Sequence, residues 1–344
     1  MAVTKQAAPY MVTYLSSSIP QLQDQSAWAL GNLAADSQEC KEIIRAQGIV
    51  NPLIQLLQSP HPKVVHSAAF ALANLAKGSI EIAQEMIQNN VISNLLPHFK
   101  YSTENEAILS EVSWVFTYLA ASGNFTEPLI SSGVLTQIVA LLVQMSNVKP
   151  HIATVVTPML RCLGNICSGP DDNTMKACEN ADLLPSLAVY LSSDLRHARK
   201  ETLWVLSNMT GDLSVCKAVT YGPHLSLVLQ QVPAAFDVKI EALYLLCNIA
   251  CHGEDLCNHM VENGVLETVV PCLKLSDVEI LNLSLALCEM CLRMSTGAKQ
   301  HFDKQCEGIA RLEALEYHNN DTLRKQAIHV LETYFEKEEE TGKE

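Results

Sequence analysis

Apolar residues recur along this chain at the three- and four-residue spacing of one helical face, and short polar turns interrupt them. Between residues 199 and 209, Leu203, Leu206 and Met209 form such an apolar stripe. Trp204 and Asn208 lie four residues apart, on the neighbouring face of the same helix. The pattern predicts long helices that bury the stripe and keep an aromatic ring and an amide at the surface.

The helical pattern repeats with a period of about 40 to 47 residues, which is typical of armadillo and HEAT arrays. Residues that end a helical run mark the boundaries: Gly48, Asn90, Gly133, Ala181, Gly222, Gly264 and Gly308. We therefore expect an all-α fold, a right-handed armadillo-repeat superhelix (α-solenoid) of about seven repeats. A C-terminal two-helix cap at 309–335 completes a single domain over 1–335, and an acidic, disordered tail follows at 336–344.

Aromatic and amide residues return at one place in the long helix of successive units, and we call these the ladder positions. They are Trp28 and Asn32, Phe70 and Asn74, Trp114 and Tyr118, Arg161 and Asn165, Trp204 and Asn208, and Tyr244 and Asn248. An amide can bond the backbone of an extended peptide, while a ring walls a slot for a Lys or Arg stem. A single Trp or Asn is more often explained by packing, but the repetition favours a peptide-binding groove.

Acidic residues accompany the ladder. Asp24, Glu111, Glu201 and Glu241 precede ladder aromatic residues by three or four positions, and Asp36 and Asp171 follow ladder asparagines. Carboxylates beside the rings make such slots prefer cations. The formal net charge of −14 also serves solubility, but with no basic run it disfavours nucleic acid and favours basic partners.

The sequence predicts neither a metal site nor an enzyme. Zinc-type donors occur at Cys288, Cys291, Cys251, His252, Cys257 and His259. No second Cys-x-x-Cys lies at a suitable distance, so we expect the twelve cysteines to be reduced core thiols. A Gly-rich phosphate loop, a nucleophile elbow and a His-x-x-x-His pair are all missing, so we expect no catalytic residue and no cofactor.

No membrane-spanning segment is expected either. The longest apolar stretches, Val134–Met145 and Ala242–Cys251, are shorter than the roughly 18–20 residues that cross a bilayer. We interpret both as core helices.

The ladder segments resemble the importin-α family, adaptors that recognise nuclear localisation signals. The run Trp28-Ala-Leu-Gly-Asn32-Leu-Ala-Ala-Asp36-Ser37 is similar to the third armadillo repeat of that family. Further likenesses follow in order: Trp114 with Tyr118 to the fifth repeat, Arg161 to Asn165 to the sixth, Lys200 to Asn208 to the seventh and Leu312 to Phe335 to the tenth. The resemblance covers nearly the whole chain, and residues 10–17 also look like a divergent relative of the family.

The resemblance implies an adaptor that binds basic linear peptides for import into the nucleus and works in cytoplasm and nucleus. The larger peptide-binding site would use Trp28, Asn32, Asp36 and Asn74, with Phe70 where the family has Trp. The smaller site would use Arg161, Asn165, Asp171, Glu201, Trp204, Asn208, Glu241 and Asn248, with Tyr244 in place of Trp. We expect the smaller site to dominate, because it keeps three consecutive ladder asparagines.

Importin-β is an expected partner only if a basic N-terminal segment exists in the full protein, since this chain begins at the equivalent of the third repeat. An armadillo scaffold without transport activity is the alternative function. Scaffolds of the catenin kind bind acidic partners in grooves lined by Lys and Arg. Here the groove positions carry Trp, Asn, Asp and Glu, which disfavours that kind of scaffold.

Overall fold

The computed structural model describes residues 2–122 and 124–335, and within these ranges the chain forms helices and no β-strand. The predicted tail at 336–344 lies outside the described residues. The chain divides into two compact units, the first ending at Ser186 and the second beginning at Leu187. The prediction of a single domain over 1–335 stays a prediction.

The first unit contains α1 (Ala2–Leu15), α2 (Pro20–Asp36), α3 (Gln38–Arg45), α4 (Val50–Leu56), α5 (Pro62–Ala76), α6 (Ile80–Gln88), α7 (Val91–Leu95), α8 (Glu106–Ala121), α9 (Thr126–Ser131), α10 (Val134–Ser146), α11 (Ala153–Cys167) and α12 (Asp171–Cys178). Helix α13 (Leu183–Leu191) spans the division. The second unit contains α14 (Arg196–Met209), α15 (Leu213–Tyr221), α16 (His224–Leu229), α17 (Phe236–Ala250), α18 (Glu254–Glu262), α19 (Val265–Val269), α20 (Val278–Met294), α21 (Ala298–Gln300), α22 (Gly308–Leu315) and α23 (Asp321–Tyr334). Short non-α turns occupy Leu96–His98, Val270–Lys274 and His301–Gln305.

Local chemistry explains where many helices begin. Pro20 and Pro62 stand in the first turn of α2 and α5, where a missing N–H costs nothing and the fixed φ suits a helix. The side chains of Asp212, Asp277 and Asn320 accept hydrogen bonds from backbone N–H groups in the first turns of α15, α20 and α23. These caps determine where the three helices begin.

Six of the seven predicted repeat boundaries lie where a helical run ends. Gly48, Gly133, Gly264 and Asn90 have positive φ, the left-handed conformation that ends a helical run. Gly222 caps the C-terminus of α15 with a φ of −88°, and Ala181 lies in the turn between α12 and α13.

One boundary needs correction, the one expected at Gly308. The left-handed residue there is Glu307, and Gly308 is the first residue of α22. A Cβ at Gly308 would collide with the buried ring of Phe302, so this glycine provides clearance rather than a turn.

The ladder positions all fall on long helices, α2, α5, α8, α11, α14 and α17, which we call the ladder helices. Within the first unit α2, α5, α8 and α11 pack side by side in that order, and within the second unit α14 packs on α17 and α17 on α20. Helix α5 is buried on most sides, and its small Ala68, Ala69 and Ala71 let its neighbours approach closely. The apolar stripes therefore form the core, as predicted.

Candidate peptide-binding surface

The rings at the start of the ladder stack on one another. The ring centroids of Trp28 and Phe70 are 4.5 Å apart at an interplanar angle of 22°. His66, four residues before Phe70 on α5, stacks on the same indole at 6.3 Å. Gly31 permits this approach, because a Cβ there would lie 2.6 Å from the Phe70 ring. Trp28 is still 42% exposed, so part of the indole faces solvent.

A cleft of about 450 Å³ opens beside Trp28 in the first unit. Its lining includes the carboxylates of Asp24 and Glu104, and also Lys63 and His66. Asp24 accepts a hydrogen bond of 2.6 Å from the Ser67 hydroxyl. Burial lowers the pKa of His66, and the charge of Asp24 opposes that shift. His66 was missed from the sequence, although its four-residue spacing from Phe70 places it on the ladder face.

The next pair of stacked rings lies beside a cationic side chain of the same protein. Trp114 and Tyr118 stack at 5.5 Å and 21°, and the Arg161 guanidinium carbon lies 5.9 Å from the Trp114 ring centroid. That distance is within cation–π range. Burial raises the pKa of both Glu111 and Tyr118, and the charge of Arg161 opposes the shift at Tyr118. Arg161 therefore occupies a face of Trp114 that a ligand cation would otherwise use.

Two ladder amides brace neighbouring helices. Asn165 Nδ2 donates to the Thr117 carbonyl on α8 at 3.0 Å. Asn248 Nδ2 donates to the carbonyl and hydroxyl oxygens of Ser207 on α14, at 3.1 and 2.9 Å. Asn74 differs, because it bonds the Phe70 carbonyl of its own helix at 3.2 Å. Within the described residues the Oδ1 atoms of Asn165 and Asn248 accept no hydrogen bond, which leaves them available to a peptide N–H.

The rings of the second unit are arranged differently. Tyr244 is 41% exposed, and its hydroxyl donates to Glu279 Oε1 at 2.8 Å. That hydrogen bond raises the pKa of Tyr244. Trp204 and Asn208 are half-buried on α14. Among the described residues, no ring stacks on Trp204 or Tyr244, in contrast to the paired rings of the first unit.

Carboxylates gather around the rings of the second unit. The pKa of Glu241 is raised by burial first and then by the negative charges of Glu201, Asp237 and Glu279, while Lys200 opposes the rise. Asp237 forms an ion pair of 2.9 Å with Arg196. Burial pushes the pKa of Asp237 up, but the Arg196 hydrogen bond and charge outweigh it and the pKa is lowered. We call Glu201, Asp237, Glu241 and Glu279 the acidic cluster.

The remaining predicted residues lie at the edges of this arrangement. Asp36 ends α2 and Asp171 begins α12, both exposed, and Asn32 is exposed on α2. Glu201 is only 4% exposed. Its charge therefore acts from a buried position, and its side chain does not line an accessible pocket. The structure assigns Arg161, Asn165 and Asp171 to the first unit and Trp204, Asn208, Tyr244 and Asn248 to the second.

Two further findings concern the part of the chain that the structure describes. No group of three or more His, Cys, Asp or Glu side chains there could hold a metal ion. Across residues 2–122 and 124–335 no helix is both long and apolar enough to cross a membrane.

Solved structures share this arrangement of helices. An engineered protein superposes with a TM-score of 0.83 at 24% identity, covering 95% of this chain and 78% of its own. A designed armadillo repeat protein in complex with the peptide (KR)4 has a TM-score of 0.62 at 23% identity, covering 70% of this chain and 98% of its own. The chain is therefore an armadillo-repeat α-solenoid.

The particular family follows from the sequence match. The chain belongs to the TMCO6 family, whose model matches residues 2–337. Importin subunit alpha-9 of Arabidopsis thaliana is 27% identical over 96% of this chain and 66% of its own length. Importin subunit alpha-1b of Oryza sativa subsp. japonica is 28% identical over 99% of this chain and 65% of its own length. The resemblance to importin-α is confirmed, and the chain spans just under two thirds of these relatives.

Proposed function

We propose that this chain binds Lys/Arg-rich linear segments of other proteins, of the kind that serve as nuclear localisation signals, along its ladder positions. The observation that carries the proposal is the acidic cluster beside the exposed ring of Tyr244 in the second unit. Burial first, and then the charges of the other three carboxylates, raise the pKa of Glu241, and an incoming cation relieves that repulsion. The rings of Trp204 and Tyr244 add apolar and cation–π contact for the stem of a lysine or arginine.

The likenesses support the same class of ligand. A designed armadillo repeat protein of similar fold is described in complex with (KR)4, a peptide made only of lysine and arginine. The curated relatives are named as importin subunits, which supports an adaptor that carries basic signals into the nucleus and works in cytoplasm and nucleus. The alternative is a repeat scaffold that binds peptides without transport.

Peptide binding is tested first, by fluorescence anisotropy with labelled (Lys-Arg)4 and with an octaglutamate peptide as control. We expect the basic peptide alone to bind, with an affinity that falls steeply with salt because much of the attraction is between charges. Equal binding of the two peptides, or an affinity that does not change with salt, would refute the proposal.

The location of the site is tested with charge-matched variants. Glu241→Gln with Glu279→Gln removes two carboxylates of the acidic cluster. Glu254→Gln with Glu262→Gln removes two exposed carboxylates of α18, away from the ladder. We expect the first pair to weaken (Lys-Arg)4 by about 1 kcal/mol, roughly fivefold, and the second pair to have little effect. Equal losses of affinity from the two pairs would mean that binding depends on the net charge of the chain and not on the acidic cluster.

Transport is a separate question and needs a separate experiment. The full protein is mixed with importin-β and a reporter that carries a basic signal, and the complexes are separated by size. A ternary complex supports the adaptor function. A complex of chain and reporter without importin-β supports the scaffold alternative instead.

A further inference from the structure

Sulfur atoms converge where α18 packs against α20 in the second unit. Cys257 Sγ lies 3.8 Å from Met294 Sδ, and the Cys257 thiol also shares a hydrogen bond with the Cys291 thiol. Cys291 and Met294 are three residues apart on α20, so both side chains face α18. Both cysteines are fully buried and Met294 is half-buried. Two sulfur donors of α20 therefore lie beside the Cys257 thiol of α18.

A second thiol–thioether pair, at the same sulfur–sulfur distance, links the turn after α17 to α20. Cys251 Sγ is 3.8 Å from Met290 Sδ, and Cys251 is exposed. Met290 directly precedes Cys291 in α20, so a pair open to solvent lies next in sequence to the buried cluster.

We propose that Cys257, Cys291 and Met294 form a binding site for a single copper(I) ion. Thiolate and thioether donors select Cu(I), whereas harder metals need nitrogen or oxygen donors. With metal–sulfur bonds of about 2.3 Å, as in thiolate complexes of zinc, three sulfur atoms in a trigonal plane lie about 4.0 Å apart. The 3.8 Å between Cys257 and Met294 is close to that spacing. Because the third donor is a thioether, this cluster falls outside the His, Cys, Asp and Glu sets that hold zinc.

Binding follows a simple balance. One Cu⁺ displaces the protons of the two thiols, so two protons are released and the bound centre carries one negative charge. The positive charge of Arg293 acts on Cys257 and opposes that negative charge. No oxidant or reductant is consumed. The site is separate from the peptide-binding function, because none of the three donors occupies a ladder position.

The test is an anaerobic titration of the full chain against a chromophoric Cu(I) chelator such as bathocuproine disulfonate. We expect the chain to withdraw one Cu(I) from the chelator. Cys257→Ser should abolish this. Met294→Leu should weaken it at least ~10-fold, because losing a residue that only supports a metal ligand already costs about that much. The matched controls are Cys216→Ser and Met209→Leu, which change a buried thiol and a buried thioether elsewhere in the second unit.

The Met294→Leu variant keeps the test valid if a serine at a buried position unfolds the chain, since Leu replaces Met at nearly constant volume. X-ray absorption should show copper with sulfur neighbours only. The proposal is overturned if the parent chain withdraws no Cu(I), or if Met294→Leu and Met209→Leu behave alike.

Discussion

The two units place the same ladder motif in different surroundings. In the first unit Trp28 stacks on Phe70, and Trp114 stacks on Tyr118. In the second unit, among the described residues, no ring covers Trp204 or Tyr244. An aromatic residue at a ladder position therefore need not be an open slot, because its face can already be filled by the chain itself.

The charged residues around the rings also differ between the two units. The cleft beside Trp28 mixes Asp24 and Glu104 with Lys63 and the titratable His66. In the second unit burial first, and then the charges of Glu201, Asp237 and Glu279, raise the pKa of Glu241, with Lys200 in opposition. A cation gains more where like charges already repel one another. We therefore expect the second unit to contribute more of the affinity for a basic peptide.

The largest expected effect tests that ranking directly. Trp204→Ala with Asn208→Ala should weaken a short basic peptide by about 2 kcal/mol or more, because it removes a cation–aromatic contact and an amide bond to peptide backbone. Trp28→Ala with Asn32→Ala should cost less, since Phe70 and His66 already cover part of that indole. Isothermal titration of both double variants against one peptide gives the comparison.

This comparison needs one control and has one outcome that would contradict it. Circular dichroism must show equal helix content in both double variants, so that a loss of affinity is not a loss of fold. A greater loss from the Trp28 pair would reverse the ranking and would make the cleft of the first unit the main anchor.

A smaller effect concerns stability and separates the bracing amides from the others. Asn248→Ala removes hydrogen bonds from α17 to Ser207 on α14, so we expect the free energy of unfolding to fall by about 1 kcal/mol. Asn74→Ala removes only a bond within its own helix and should cost a few tenths, about 0.3 kcal/mol. Urea unfolding measures both. Equal free energies of unfolding for the two variants would mean that the interhelical hydrogen bonds of Asn248 add nothing to stability.

A third prediction concerns pH and tests the acidic cluster. The pKa of Glu241 is raised above its ordinary value of 4.5, so this carboxylate takes up a proton at a higher pH than an isolated Glu. A bound cation favours the charged form, and affinity should fall as the pH is lowered towards that range. Glu241→Gln should weaken the peptide by at most about 1 kcal/mol and flatten this pH dependence. Titrations from pH 7.5 to pH 5 check it, with Glu254→Gln, which should keep the full slope, as the control.

Much of the fold could be predicted from the sequence, because it depends on local signals. Left-handed Gly48, Gly133 and Gly264 end helical runs, and the apolar stripes identify the buried faces. The conformation at Gly222 could not be predicted, because φ at a glycine depends on its surroundings. The helices that carry the ladder positions were predicted correctly for the same local reasons.

The surroundings of the ladder side chains could not be predicted, because they depend on contacts between repeats. The Trp28 stack requires the close approach of α5 at Gly31, and the bond from Asn165 requires the Thr117 carbonyl of another helix. The burial of Glu201 likewise follows from packing rather than from its spacing to Trp204.

The smallest expected effect concerns Arg161, which the family resemblance counts as a peptide-binding residue. Its guanidinium lies over Trp114, and its charge also acts on Tyr118. Arg161→Gln would uncover that ring face and remove a positive charge from the path of a basic peptide. We expect (Lys-Arg)4 to bind about 0.5 kcal/mol more tightly, the lower end for an exposed cation–π contact. Arg45→Gln, which changes an arginine paired with Glu85 away from the ladder helices, should leave affinity nearly unchanged. Isothermal titration at low salt resolves the difference, and thermal melts check that both variants stay folded. Weaker binding by Arg161→Gln would mean that Arg161 contacts the peptide itself, and the first unit would then use its guanidinium as a ligand-binding group rather than as a substitute for the ligand.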